Sequence, residues 1–407
     1  MLIVQKYGGS SLSNSEKIFN VARRIIEAYD KGNDLVVILS AQGDTTDELI
    51  EKANEINSNA SKRELDMLLS TGEQQSVALM AMAINSLGRN AISLNAFQVG
   101  IETNSNYSNA RIKTINTERI NIEIDKRNIV IITGFQGINK YDDITTLGRG
   151  GSDTSAVAIA AKLHADICEI YTDVDGVYTA DPRIVKTAQK INEISYDEML
   201  ELASLGAKVL HNRSVELAKK YNVKLVVRSS FVEEEGTTVK EETRVEKMLI
   251  SGVASDKDIS RISLIGISDV PGKAFAIFSL LAKEKISVDI ILQSIGRDGK
   301  KDISFTIAKT DLQHTLNILE QNKERLGVND IKHNESVAKL SVVGAGMATN
   351  PGVASLMFEA LYDAGVNISM ISTSEIKISV LIDANDIDYA MIAVHDKFKI
   401  ATNNFRN

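Results

Sequence analysis

The sequence predicts an α/β protein: a mainly parallel sheet sandwiched by helices, followed by two small βαββαβ modules. Three observations carry this. Short apolar runs such as Leu35-Val-Val-Ile-Leu39 and Ile129-Val-Ile-Ile132 have the length and β-branched content of strands buried on both faces. Helix-length segments bounded by capping residues and glycines lie between them. Beyond residue 247 one pattern occurs twice, at an offset of 80 residues.

The elements follow in order. A short apolar strand covers 2–5, and Ser13 with Glu16 reads as a capping box opening a helix over 17–29, which Gly32 stops. The strand over 35–39 ends in Ser40-Ala41-Gln42-Gly43. A mostly apolar helix spans 74–86, with Thr71-Gly72-Glu73 at its opening, where a carboxylate suits the helix dipole. A strand over 129–133 leads into Gly134-Phe135-Gln136-Gly137. A buried helix over 152–164, a strand over 167–172 and a last strand over 224–228 complete the sheet. Such sheets bind ligands beyond the carboxyl ends of their strands, where the glycine- and hydroxyl-rich segments fall.

The charged stretch 233–247 reads as a boundary, giving a catalytic domain over 1–243, a linker over 244–260 and modules over 261–335 and 336–407. Residues 386–407 either complete the second module or return to the first. In the repeat, Asp269–Ser294 aligns with Thr349–Ser374, and Pro271/Pro351, Gly272/Gly352, Phe278/Phe358 and Ser294/Ser374 coincide. Each copy predicts strand, Pro-Gly turn, amphipathic helix and strand.

Composition limits the function. The chain has 407 residues, 43% apolar and 25% charged, as in ordinary globular proteins. No run approaches the roughly 18–20 apolar residues of a membrane span. The N-terminus lacks the basic region of a secretion signal, and the single cysteine, Cys168, excludes intrachain disulfides and suits a reducing, cytoplasmic setting. A formal charge of −8 without a Lys/Arg tract argues against nucleic acid as partner. A phosphate ligand therefore needs a locally positive site.

Lys6-Tyr7-Gly8-Gly9-Ser10 places a cation at a strand end, ahead of its glycines, the reverse of the P-loop order. Paired glycines admit an anion to backbone N–H groups, and the lysine offers a point charge to a transferring phosphoryl group. In Gly148–Ser155 glycines lead into a helix N-terminus. There Asp153 and Thr154 read as caps, and Arg149 as a fork for a carboxylate. Thr172–Arg183 combines acidic residues, an aromatic and an arginine, which either grip a nucleotide or build a tight turn. Ser40 and Asp44-Thr45-Thr46-Asp47 offer hydroxyls, and Glu73 either serves its helix or meets a ligand ammonium.

In this order, and together with Ser70–Glu73 and Gly134–Gly137, these motifs resemble the aspartate kinases of the amino acid kinase family over nearly the whole chain. The repeat resembles paired ACT domains. Tyr7 stands where phenylalanine is usual, Ser10 for threonine and Gln42 for a frequent methionine. The resemblance implies transfer of the ATP γ-phosphoryl, with Mg2+, to the β-carboxylate of L-aspartate, giving 4-phospho-L-aspartate, the first step of lysine, threonine and methionine biosynthesis. A carboxylate with a pKa near 3.9 is already ionised at neutral pH, so no general base is required.

By the resemblance, Lys6, Gly8, Gly9 and Asp153 are catalytic, with Asp153 capping its helix and orienting Lys6. Thr45, Thr46, Asp47, Glu73, Arg149, Gly150, Gly151 and Ser152 surround aspartate, Arg149 on the α-carboxylate and Glu73 on the ammonium. Lys6, Tyr7, Gly8, Gly9, Ser40, Ser152, Thr172, Asp173, Val174, Asp175, Gly176, Val177, Tyr178, Arg183 and Lys208 form the nucleotide pocket, and no resident metal is expected. Feedback by lysine, alone or together with threonine, is implied at the ACT modules of a homo-oligomer, dimer or tetramer. The effector would lie by Asp269, Gly272, Lys273, Ala274, Val288, Asp289, Gln293 and Ser294, or by Asn350, Asn367, Ile368, Thr373, Ser374 and Glu375. Met248 is a candidate internal start for a separate regulatory polypeptide. Competing readings are a glutamate 5-kinase, an acetylglutamate kinase, or an amino-acid sensor without catalysis.

Overall fold

The computed structural model describes residues 1–206, 209–241, 250–347, 350 and 352–404. The chain divides into one unit of Met1–Val177 with Lys190–Val245 and another of Tyr178–Gln189 with Glu246–Asn407.

The first unit reads β1 (Leu2–Tyr7), α1 (Ser15–Asp30), β2 (Asp34–Leu39), α2 (Thr45–Ile56), α3 (Lys62–Ser86), β3 (Ala91–Leu94), β4 (Ile101–Thr103) and β5 (Ile112–Ile115). It continues with α4 (Glu118–Asp125), β6 (Ile129–Thr133), β7 (Gln136–Ile138), β8 (Ile144–Thr146), α5 (Gly151–Leu163) and β9 (Ile167–Thr172). After the other unit's insertion come β10 (Glu193–Ser195), α6 (Tyr196–Ser204), α7 (Asn212–Tyr221), β11 (Leu225–Ser229) and β12 (Thr237–Lys240). The main sheet has the order β10-β12-β11-β9-β1-β2-β6-β3, and all its pairings are parallel except β11 with β12. A smaller sheet has the order β5-β4-β7-β8.

The main sheet is apolar because both faces are covered: every residue of Leu35–Leu39 is fully buried. On one face α1 presents Ile18, Val21, Ala22 and Ile25, at helical spacing, beside Val77, Met80 and Ile84 of α3. On the other face α5, buried from Gly151 to Ala160, packs against β1, β2 and β9.

Several expectations are corrected. The first helix is capped by Asn14, whose side chain accepts from the Lys17 N–H at 2.9 Å, and not by Ser13. The helix expected over 74–86 begins at Lys62, so Glu73 lies mid-helix, away from the favourable dipole end. Its first turns bury Asp66, Ser70, Gly72 and Glu73, a polar face that hides helical periodicity. Residues 224–228 are not the last strand. Within the charged stretch Thr237 and Val239 point inward and extend the sheet by an antiparallel ribbon.

The second unit contains β13 (Gly252–Asp256), β14 (Ile259–Ser268), α8 (Lys273–Lys283), β15 (Val288–Gln293), β16 (Lys300–Ala308), α9 (Leu312–Gln321), α10 (Lys323–Leu326) and β17 (Asp330–Asn334). Then follow β18 (Val337–Val343), α11 (Val353–Asp363), β19 (Met370–Thr373), β20 (Lys377–Asp383) and α12 (Ile387–Asn404). The first module forms an antiparallel sheet β15-β16-β14-β17, with βαββαβ connectivity. The second forms β13-β18-β20-β19. Its fourth strand comes from within the linker expected over 244–260, so the first module is inserted into the second. The C-terminal stretch supplies α12 to the second module.

Residues Tyr178–Gln189 form a finger belonging to this second unit. Thr179 N–H donates to Gln189 O at 2.9 Å and Val253 N–H donates to Thr179 O at 2.8 Å. Thr179 Oγ1 shares a 2.9 Å hydrogen bond with His395 Nε2, and Thr187 Oγ1 donates to Asp396 at 3.0 Å. Ala180 and Val185 of the finger join the apolar core of the second module. Among the described residues no helix is long and apolar enough to cross a membrane.

Candidate active site

β9, β1, β2 and β6 are adjacent and parallel, with Tyr7 level with Leu39 and Tyr171, and Leu39 level with Thr133. The segments leaving these strands therefore meet on one edge. Backbone bonds fasten them: Gly8 N–H to Tyr171 O (3.3 Å), Ser40 N–H to Tyr7 O (3.1 Å), Gly43 N–H to Gly9 O (3.0 Å) and Gly134 N–H to Leu39 O (3.0 Å).

Alternation along β1 sends Lys6 and Tyr7 to opposite faces. Tyr7 is fully buried on the α1 side, stacked on Tyr171 with centroids 4.5 Å apart, and its hydroxyl donates to Gln5 at 3.3 Å. Its side chain is core, so in a nucleotide pocket it has only backbone to offer. Lys6 faces α5, where its Nζ lies 2.7 Å from Asp153 Oδ1. Asp153 is not a cap: the N-cap is Gly150, without a side-chain capping bond, and Thr154 Oγ1 donates back to Gly150 O at 3.1 Å.

Gly150 has φ +69°, and a Cβ there would lie 2.2 Å from the His211 ring. A Cβ on Gly134 would lie 2.6 Å from Ser152 Oγ, which places Ser152 at the end of β6. His211 is half-buried, its Nδ1 is buried without a hydrogen bond, and burial lowers its pKa. Arg149 is exposed and pairs with no carboxylate among the described residues, leaving its fork for an incoming anion.

Glu73 is 3% exposed. One carboxylate oxygen accepts from Ala41 N–H at 3.1 Å, and the other has no hydrogen bond. Burial pushes the carboxyl up to about 7. An under-satisfied buried carboxylate is a ready acceptor for a ligand cation. Thr45 and Thr46 are half-buried and Asp47 is exposed in the first turn of α2.

Asp66 carries no sequence signal, yet it fixes this region. Fully buried in α3, it accepts from the N–H and hydroxyl of both Ser108 and Thr146 at 2.8–3.0 Å. Thr146 lies two residues before Gly148, so Asp66 sets the base of the Arg149 loop.

The Thr172–Arg183 motif is divided between the two units. Thr172 Oγ1 donates to Asp173 at 3.0 Å, Asp175 pairs with Lys190 at 3.2 Å, and Val174 is exposed. Val177 is buried core and its N–H donates to Thr237 Oγ1 at 2.8 Å, next to Gly176 at φ +155°. Tyr178 and Arg183 belong to the finger, where Arg183 Nη2 meets Asp181 at 2.7 Å. Lys208 lies outside the described residues.

In the modules, Gly272 (φ +91°) and Gly352 (φ +105°) are equivalent N-caps of α8 and α11 without side-chain capping bonds. Asp269 pairs with Lys301 at 2.9 Å, Lys273 Nζ donates to Leu326 O at 2.9 Å, and Ser294 Oγ accepts from Asp302 N–H at 2.9 Å. Asp289 pairs with Lys339 of the other module. Val288 and Ile368 are half-buried, whereas Gln293, Asn350, Asn367, Thr373, Ser374 and Glu375 are exposed.

Residues 1–229 match the amino acid kinase family, and residues 262–322 and 340–398 match the ACT domain. An aspartokinase of Helicobacter pylori (strain ATCC 700392 / 26695) is 51% identical over 405 residues, covering 98% of this chain and 100% of its own. One from Bacillus sp. (strain MGA3) is 49% identical over 401 residues, covering 98% of each chain. The crystal structure of E. coli aspartokinase III in complex with lysine and aspartate (T-state) is similar at a TM-score of 0.77 and 25% identity, covering 98% of this chain and 99% of that one.

Proposed function

The chain belongs to the amino acid kinase family, and from that premise we propose that it is an aspartate kinase, transferring the γ-phosphoryl of ATP to the β-carboxylate of L-aspartate. One observation carries the reading. A lysine beside paired glycines and a buried carboxylate with an unpartnered oxygen are delivered to one edge of a sheet, in a chain about half identical to aspartokinases over nearly its full length.

The nucleophile is already anionic at neutral pH, so the protein has to align two anions and stabilise charge spreading over the transferred group. Lys6 and the Gly8 and Gly9 backbone do the latter, with Asp153 holding the Lys6 ammonium in place. Arg149 takes the α-carboxylate of aspartate and Glu73 its ammonium. Thr45, Thr46, Asp47, Gly151 and Ser152 flank the substrate, and Ser40 and Thr172–Val177 flank the nucleotide. Asp153 is engaged by Lys6, and among the described residues no cluster of carboxylates would hold a resident metal, so Mg2+ would come with the nucleotide. Mg2+ supplies charge neutralisation on the phosphates when bound.

Lysine, alone or together with threonine, is the effector of this reading. The uncapped starts of α8 and α11 at Gly272 and Gly352 suit an amino-acid carboxylate. The active form is a homo-oligomer, and the setting is cytoplasmic. Supporting the oligomer, β15 is an edge strand with Ile291 and Leu292 exposed, near Ile295 at 91% exposure.

Coupled detection of ADP, with aspartate, glutamate and N-acetylglutamate as acceptors, tests the reading. Turnover with aspartate alone, reduced by millimolar lysine, is expected. Turnover only with another acceptor overturns the substrate, and activity indifferent to lysine and threonine, singly and combined, overturns the regulation.

A further inference from the structure

A cavity of about 450 Å³ lies between β5, α5 and α7 of the first unit, separate from Lys6, Arg149 and Glu73. Arg111, Lys113, Lys162 and Arg213 line it, against one carboxylate, Glu216. The chain has an excess of eight acidic charges, and on this unit Arg63 pairs with Asp143 at 2.7 Å and Arg89 with Asp30 at 2.8 Å. Among the described residues none of the four cavity cations does so.

Arg213 sharpens the imbalance. Its guanidinium donates to the neutral carbonyls Leu147 O at 2.6 Å and Ala110 O at 2.9 Å, which fix it without neutralising it. Burial and then the nearby Arg111 charge lower its pKa. Arg213 is half-buried and Arg111, Lys113 and Lys162 are exposed around it, and like charges gathered in this way repel unless a counter-ion joins them. Between the cations, Ala158 and Ala161 of α5 and Leu217 of α7 contribute apolar surface to the lining.

We infer that this cavity is a binding site for a small organic dianion, a phosphate monoester or a dicarboxylate carried on an apolar body. The cations take the two charges and the alanine–leucine surface takes the body. The volume falls in the range of small-molecule sites, roughly 300–1,000 Å³. The inference does not depend on the reaction proposed above.

Isothermal titration of the full chain, held in saturating ADP and aspartate so that the active site is filled without turnover, tests it. The probes are phenyl phosphate, phthalate and neutral benzyl alcohol. Saturable one-to-one binding of either dianion with Kd below ~1 mM is expected, with no heat from benzyl alcohol. Lys113→Glu with Lys162→Glu, at two exposed positions, should weaken binding about tenfold or more and leave kcat unchanged without the probe. Response to phenyl phosphate alone assigns a phosphate monoester, and to phthalate alone a dicarboxylate. Absence of binding by both at ~10 mM, or equal binding by the charge-reversed protein, overturns the site.

Discussion

Lys6 Nζ and Asp153 Oδ1 stand 2.7 Å apart, one at the end of the first strand and the other in the first turn of the helix packed against it. Each side chain is 12% exposed. The pair fixes an ammonium beside the Gly8–Gly9 turn before any ligand arrives, which removes reorganisation from the reaction.

Lys6→Ala should lower kcat by roughly 10² or more, as loss of one preorganised charge contact does. Asp153→Asn should lower it less, because the ammonium remains but loses its anchor. Steady-state rates at saturating ATP and aspartate decide, and near-normal turnover of Lys6→Ala contradicts the assignment.

Arg149→Ala should raise KM for aspartate about tenfold or more while KM for ATP stays within about twofold. Arg149→Lys should not restore the loss, since a point charge cannot reproduce a two-pronged contact. A defect confined to ATP would rule out the role.

Glu73 gives a pH dependence. Its folded carboxyl titrates at about 7 against an ordinary 4.5, so the folded state binds the extra proton between those values. Stability is therefore greatest below 4.5 for this group and falls as pH rises through 7. The ligand-free Glu73→Gln protein should gain on wild type by up to roughly 3 kcal/mol at pH 8, with the difference fading toward pH 5. Urea midpoints across that range measure it. Aspartate KM should rise below pH 7 in wild type, as the carboxyl neutralises, and stay flat in the variant.

Gly150→Ala meets two obstacles, a left-handed φ of +69° and the His211 ring 2.2 Å from the new Cβ. A destabilisation of about 1–3 kcal/mol is expected. Adding His211→Ala should recover the steric part only, and full recovery in thermal melts would show that backbone strain plays no role.

Lys339 is 4% exposed and bridges the two modules to Asp289, with Asp256 at 3.9 Å, while the Asp289 side chain is 46% exposed. Asp289→Ala leaves the buried ammonium with only the longer Asp256 contact and should cost less than the roughly 3–5 kcal/mol of a fully stranded buried charge. Lys339→Met leaves a carboxylate that water can reach and should cost much less. Combining the two should be milder than Asp289→Ala alone, and equal losses from both single changes would count against this asymmetry.

The sheet was legible where strands are apolar runs and where glycines follow them, which is why the end of β1 at Lys6, Gly8 and Gly9 was placed at a strand edge in advance. Other features were illegible for definite reasons. The first turns of α3 bury Asp66, Ser70 and Glu73, so no hydrophobic stripe marks them. β13 pairs with Lys339–Val343, far along the chain, and no local pattern records such a partner. Asp153 sits where a helix cap is plausible, so its expected tie to Lys6 was legible through the resemblance, while its failure to cap shows only in the geometry of α5. Asp66 acts through four hydrogen bonds to Ser108 and to Thr146 at the end of β8, both distant in sequence.

The Tyr178–Gln189 finger makes the two halves of the polypeptide inseparable by a single cut. The chain crosses between them at Val177/Tyr178, at Gln189/Lys190 and again at Val245/Glu246. A fragment ending at 245 would carry Ala180 and Val185 as uncovered apolar surface, and a polypeptide beginning at Met248 would fold around a missing piece of its own core. Mixing the two fragments should let one lend the finger to the other, so that complementation in trans restores the solubility and melting temperature that each lacks alone.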